Sequence, residues 1–209
     1  MIYAENILIC IAVPLAVSLF FLTGSARRFI AAFLTGMLIC LISAYISGFI
    51  SYAVQIPKEE MAVFLSPVIE EIMKILPILF YLLLFMPKNR YLLLFAIGTG
   101  AGFATFENCC YILSSGADKL PYVLIRGLAV GVMHIVCTLM LSLALVLLRK
   151  YQVLSFAGIV GALSLSMMFH ALYNLLVSEQ GLSSGIGYVM PLLSALFMFL
   201  PYRRLIKKL

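Results

Sequence analysis

The chain has 209 residues, 65% of them hydrophobic and 11% charged, with a formal net charge of +6. Its mean hydropathy is +1.17. That composition excludes a soluble globular domain, and the placement of the positive charge excludes nucleic-acid binding. Arg27, Arg28, Lys88, Arg90, Arg149, Lys150, Arg203, Arg204, Lys207 and Lys208 fall on one side of a chain threaded through lipid, with only Lys58 and Lys119 on the other. A basic excess sorted to one side is a topology signal.

Continuous apolar runs, rather than alternating ones, predict helices. In lipid only helices and closed barrels satisfy their own backbone groups. The expected fold class is therefore all-α, a polytopic transmembrane bundle. Seven spans are read in chain order: Asn6–Gly24, Phe29–Ile56, Met61–Met86, Tyr91–Ser115, Tyr122–Leu148, Val153–Val177 and Gly185–Tyr202. The basic side is assigned to the cytoplasm, which puts the N-terminus outside and the C-terminus inside. Glu5, Glu59, Glu60, Asp118 and Glu179 then fall on the outer side. Short loops and the lack of a linker make residues 1–209 one integral membrane domain, with a catalytic core within 61–177. Residues 1–6 carry no basic residue ahead of the first apolar run, which argues against a cleaved signal peptide. Cys10, Cys40, Cys109, Cys110 and Cys137 all lie in spans without CxxC spacing. They read as small apolar residues, with neither a disulfide nor a cysteine metal site expected.

The ionisable residues inside the spans are Glu70, Glu71, Lys74, Glu107, Arg126, His134 and His170. Each costs roughly 2.5–3.5 kcal/mol to insert, which makes each a functional candidate. By a rise of 1.5 Å per residue, Glu70, Glu107 and His170 lie roughly 11–14 Å below the outer edge, and His134 roughly 18 Å below it. Four helices thus place ionisable groups in one slab of the outer half. On the third span Lys74 is within reach of both Glu70 and Glu71. Two carboxylates facing one cation leave one carboxylate free for acid–base work or a metal. The plainer reading is a helix-stabilising Glu–Lys pair, but it leaves the other groups in the slab unexplained.

Pro67 and Pro77 bracket this motif, and each removes a backbone hydrogen bond; they mark a cavity lining or a simple kink. Gly98 and Gly102, and Gly127 and Gly131, have the spacing of close helix packing. Arg126 is either a snorkelling side chain or a site residue. Asn108 and Asn174 are either helix–helix hydrogen-bonding groups or oxyanion donors. Ser166 precedes His170 by four residues, but a Ser–His dyad leaves the glutamates without a task.

Hydrolysis within a membrane needs water, a base and an oxyanion stabiliser. A two-aspartate mechanism is excluded because Asp118 is the sole aspartate, and neither histidine begins an HExxH motif. The glutamates and the two histidines remain, either activating water directly or holding a metal with an open position. A proton- or ion-coupled transporter is the alternative, since buried Glu, Lys and His chains also form relays. A transporter more often shows internal repeats, and none is visible. A non-catalytic membrane scaffold is a third reading.

Four segments in order carry a family resemblance: VIEEIMK with an EExxK pattern, GFATFEN (Gly102–Asn108) with GFxxxEN, the Arg126-to-His134 spacing, and FHALYN (Phe169–Asn174). Together they resemble the PrsW family of intramembrane proteases, itself distantly akin to the type II CAAX prenyl proteases. Lys74 in place of an arginine one residue later, and Glu107 in place of a histidine, separate this chain from the CAAX pattern. The resemblance implies an endopeptidase in a bacterial cell membrane making an outer-side (site-1) cut in a single-pass membrane protein such as an anti-sigma factor. The expected site is Glu70, Glu71, Lys74, Glu107, Asn108, His134, His170 and Asn174, with Glu70 or Glu71 as base. No cofactor is required if a glutamate activates water. If a divalent metal such as zinc is used, Glu71, Glu107, His134 and His170 are the candidate ligands.

Overall fold

The computed structural model describes residues 4–115, 120–150 and 156–207. Asp118, Lys119 and Lys208 of the charge asymmetry, and the first residues of the sixth expected span, lie outside the described residues. The described residues form seven helical rods. They are α1 (Ala4–Ser18), α2 (Gly24–Val54), α3, α4 (Asn89–Ser115), α5, α6 (Phe156–Ser178) and α7 (Leu182–Lys207). Helix α3 is composite: a short turn Lys58–Glu60, a π-helical turn Met61–Leu65 and the α-helix Ser66–Phe85. Helix α5 is composite in the same way, with Leu120–Ile125, a π-helical turn Arg126–Val130 and Gly131–Lys150. No strand occurs among the described residues.

Among the described residues, five helices are long and apolar enough to cross a membrane: Gly24–Val54, Asn89–Ser114, Val123–Lys150, Phe156–Ser178 and Leu182–Arg204. Helix α1 is apolar but has 15 residues. The α-helical part of α3 has 20 residues, but it carries Glu70, Glu71 and Lys74, more charge than an ordinary span tolerates. Large apolar side chains such as Phe80, Leu84, Phe197 and Leu200 stand exposed on the outside of the bundle, a surface suited to lipid.

Glycine sets the tightest packing. Gly36 of α2 lies against the backbone of Thr99 and Phe103 on α4, and Gly102 lies against the backbone of Phe33. Gly98 meets Ala32 and the Phe29 carbonyl, and Gly100 meets the His134 carbonyl of α5. Helix α4 is thereby clamped between α2 and α5. The expected packing pair Gly127–Gly131 is corrected: neither glycine has a neighbour within 4 Å of where a side chain would start. Spacing alone does not say which face of a helix meets a neighbour. Gly36→Leu or Gly102→Leu should therefore drive α2 and α4 apart, costing about 1–3 kcal/mol or more in an overpacked contact. Gly131→Ala should leave the detergent melting temperature within a degree or two of wild type, roughly the scale of a neutral surface change.

Below the polar layer an apolar core joins Ile75, Ile78 and Leu82 of α3 to Leu92, Leu93 and Ala96 of α4 and Leu141 and Leu145 of α5. Pro77 sits inside α3 without interrupting it, so of the two prolines only Pro67 accompanies an irregular backbone. There the Ser66 N–H donates to the Met61 carbonyl in π register. Continued by one residue, that register would pair residue 67 with the Ala62 carbonyl, but proline has no N–H to give.

Candidate active site

The π turn in α3 leads directly into the charged motif, and Asn174 of α6 supplies the missing donor. Its Nδ2 donates to the Ala62 carbonyl at 2.9 Å. Because His170 lies one helical turn before Asn174, this bond fixes His170 relative to α3. Asn174→Ala should cost about 0.5–1.5 kcal/mol, the usual net worth of one hydrogen bond, since this one is exposed. In a Pro67→Ala background, where residue 67 regains its N–H, the loss should shrink. Thermal unfolding of the two single variants and the double variant measures the coupling.

Glu71 is completely buried and fully engaged. Its Oε1 accepts from Lys74 Nζ at 2.5 Å and pairs with His170 Nδ1 at 2.8 Å. Its Oε2 accepts from Ser166 Oγ at 2.7 Å. Lys74, also fully buried, turns its ammonium to His134 Nδ1 at 3.0 Å and lies over the Phe103 ring, 4.6 Å from its centre. A lysine ammonium only donates, so His134 Nδ1 accepts and its Nε2 carries the hydrogen toward Glu107, its close partner. Glu107 Oε1 then takes Arg126 Nη2 at 3.0 Å, and the guanidinium stacks on Tyr111 at 3.5 Å.

This network crosses four helices: Ser166 and His170 on α6, Glu71 and Lys74 on α3, His134 and Arg126 on α5, and Glu107 on α4. The GFATFEN segment is explained within it. Gly102 brings α4 against α2, Phe103 lies beneath Lys74 and packs on His134 with ring centres 4.8 Å apart, and Glu107 closes the chain to Arg126.

Glu70 stands apart. Lys74 balances Glu71 and Arg126 balances Glu107, so the third carboxylate has no cation of its own. Its side chain is 18% exposed and lines a cavity of about 420 Å³ shared with Glu107, Arg126, His170, Tyr173 and Asn174. Glu70 Oε2 is buried without a hydrogen-bond partner and lies 3.8 Å from His170 Nε2. Arg126 Nε is likewise buried and unpartnered. Buried polar atoms left without partners mark places where a ligand or water completes the site.

One atom each from Glu70, His134 and His170 lie within 4.8 Å of one another, which fits a three-ligand metal site. His170 is prepared for it, with Nδ1 held by Glu71 and Nε2 facing Glu70. His134 would have to release its Nε2 proton. Glu71 behind His170 matches the carboxylates that orient metal-bound histidines, whereas Glu107 holds the same His134 nitrogen that would have to turn to the metal. A second such group is Glu71, Cys137 and His170.

Of the expected site residues, Glu70, Glu71, Lys74, Glu107, His134 and His170 converge here, and Asn174 borders the cavity. Asn108 does not join them: its Oδ1 is buried without a hydrogen-bond partner, and it lines neither described cavity. Of the candidate metal ligands, His134 and His170 group with Glu70, Glu71 and His170 group with Cys137, and Glu107 falls in neither group. Ser166 enters as the hydroxyl that holds Glu71 rather than as a nucleophile; its four-residue spacing from His170 was the available signal. Cys137 packs under the site, its Sγ 3.9 Å from the Ser166 carbonyl, and the five cysteines are free thiols.

A membrane-type helical bundle with a glutamate–histidine cluster opening on a cavity defines a membrane-embedded hydrolase site. Residues 24–201 match the sequence profile of the PrsW family of intramembrane metalloproteases, and the chain belongs to that family. It is a membrane-embedded protease and a multi-pass membrane protein, and the transporter reading is not favoured. No curated protein and no solved structure matches the chain.

Proposed function

We propose that the protein is a site-1 endopeptidase that cuts single-pass membrane proteins, with an anti-sigma factor as substrate, near the outer face of a bacterial cell membrane. The observation that carries this reading is Glu70: a cavity-lining carboxylate without a cation, one oxygen buried and unpartnered beside His170 Nε2. Glu70 takes a proton from the attacking water, and the water oxygen adds to the scissile carbonyl. Glu70 then returns the proton to the leaving amine. Arg126, with Nε unpartnered at the cavity, donates to the carbonyl oxygen as it becomes negative. Glu71 and Lys74 hold His170 and His134 in place, and Asn174 fixes α6 against the π turn.

The residues suited to a divalent metal such as zinc are His134, His170 and one oxygen of Glu70. A metal bound there supplies Lewis acidity to the water. Metal analysis of the purified protein tests this directly: about one zinc per chain is expected for a three-ligand catalytic site. His170→Ala should remove that zinc while the protein stays folded. Stoichiometric zinc retained in both His134→Ala and His170→Ala would rule out this ligand set.

The reading includes seven spans with the N-terminus outside, because the cavity is bordered by Ala62 and Ser178, at the ends of α3 and α6 assigned to the outer side. The cut would then fall close to outer water, within a single integral domain whose catalytic core lies in residues 61–177.

A further inference from the structure

A second cavity of about 590 Å³ lies between α1, α2 and α4. Its wall includes Ile7, Leu41, Ala44, Phe106, Cys110 and Leu113, and it shares Glu107 and Tyr111 with the first cavity. The two cavities contrast in chemistry. The first is bordered by Glu70, Arg126, His170 and Asn174. Among the described residues, the second has Glu107 as its one ionisable side chain apart from thiol and phenol groups. The two therefore meet at the network carboxylate that holds His134.

Helix α1 forms one side of the apolar cavity, and its attachment is light. No residue of α1 is buried, and it touches α2 and α4 through Ala4, Ile7, Leu8, Ile11 and Leu15, a single stripe at helical spacing. It also lies before residues 24–201, the part that matches the family.

We infer that the apolar cavity receives the membrane-side residues of the substrate next to the scissile bond, while the polar cavity receives the residues leading to outer water. This rests on the protease reading above and adds a register to it. A cut near the end of a membrane span lies between an apolar segment and a polar one. Two unlike cavities joined at the reactive cluster accommodate that division, with the substrate backbone unwound across Glu107. The apolar residue on the membrane side then selects substrates by fit between α1, α2 and α4.

The test uses full-length protein in liposomes and a single-span reporter, an outer domain joined to an alanine–leucine span. A photo-crosslinking phenylalanine analogue is placed at Ala44 in the apolar cavity or at Ser178 in the polar one. Ala44 should crosslink the reporter on the membrane side of the cut, and Ser178 on the water side, as mapped by mass spectrometry. Ala44→Trp, at an exposed position, should lower kcat/KM about 10-fold, mainly through KM, as expected for lost binding. Cleavage by the unsubstituted protein is measured in parallel. If the reporter is cut yet Ala44 crosslinks only lipid and Ala44→Trp is fully active, the register is wrong and the protease reading stands. If the reporter is not cut, the protease reading and the register fall together.

Discussion

Glu71→Leu should strongly destabilise the protein, and adding Lys74→Met should restore much of the stability without restoring cleavage. Glu71 and Lys74 are both fully buried and joined at 2.5 Å. Removing one partner leaves an ammonium deep in the bundle with His134 Nδ1 as its remaining nitrogen or oxygen contact. Breaking a buried pair in this way costs about 3–5 kcal/mol, whereas replacing both partners with apolar side chains is often neutral or better. The double variant cannot be active on this geometry, because His170 Nδ1 loses Glu71 and His134 Nδ1 loses Lys74. Thermal unfolding in detergent, run beside a cleavage assay, separates the two effects. A stable, active Glu71→Leu protein would show that Glu71 is not the anchor of the network.

Glu70→Gln should do the reverse. Glu70 has no cation to strand and, among the described residues, no hydrogen bond to break, so the melting temperature should stay near wild type. Activity should fall by about 10²–10⁴-fold, the usual contribution of a general acid–base group. The contrast between neighbours is the informative part: two consecutive glutamates, one holding the structure and the other meeting water.

That division was not legible in the chain. Seen along the helix, Lys74 reaches either carboxylate, as three- and four-residue spacings both share a face. The choice is made from outside α3, where α6 presents Ser166 and His170 to Glu71 and leaves Glu70 on the cavity. The same limit explains Arg126. Near a span end it fits snorkelling equally well until Glu107 and Tyr111 are seen beside it. Gly127 and Gly131 share the spacing of Gly98 and Gly102 but face open space, since the identity of the neighbouring helix is not encoded in the pair. What sequence did convey was the level of the polar groups. Rise per residue is nearly constant in a helix, so the depths of Glu70, Glu107, His134 and His170 could be compared before any packing was known. All four meet in one cluster.

Asn108 stands apart from the other expected site residues. It follows Glu107 in the GFATFEN segment, but adjacent residues on a helix point about 100° apart. Glu107 turns to His134 and the cavity, while Asn108 lines neither described cavity.

The most direct measurement is cleavage of a single-span reporter in liposomes by purified wild-type and Glu70→Gln protein, with the new ends located by mass spectrometry. The wild-type protein should release the outer domain by a cut near the outer end of the span, and the Glu70→Gln protein, equally folded, should release almost none. Release by Glu70→Gln at the wild-type rate would contradict the assignment of Glu70 to the reacting water.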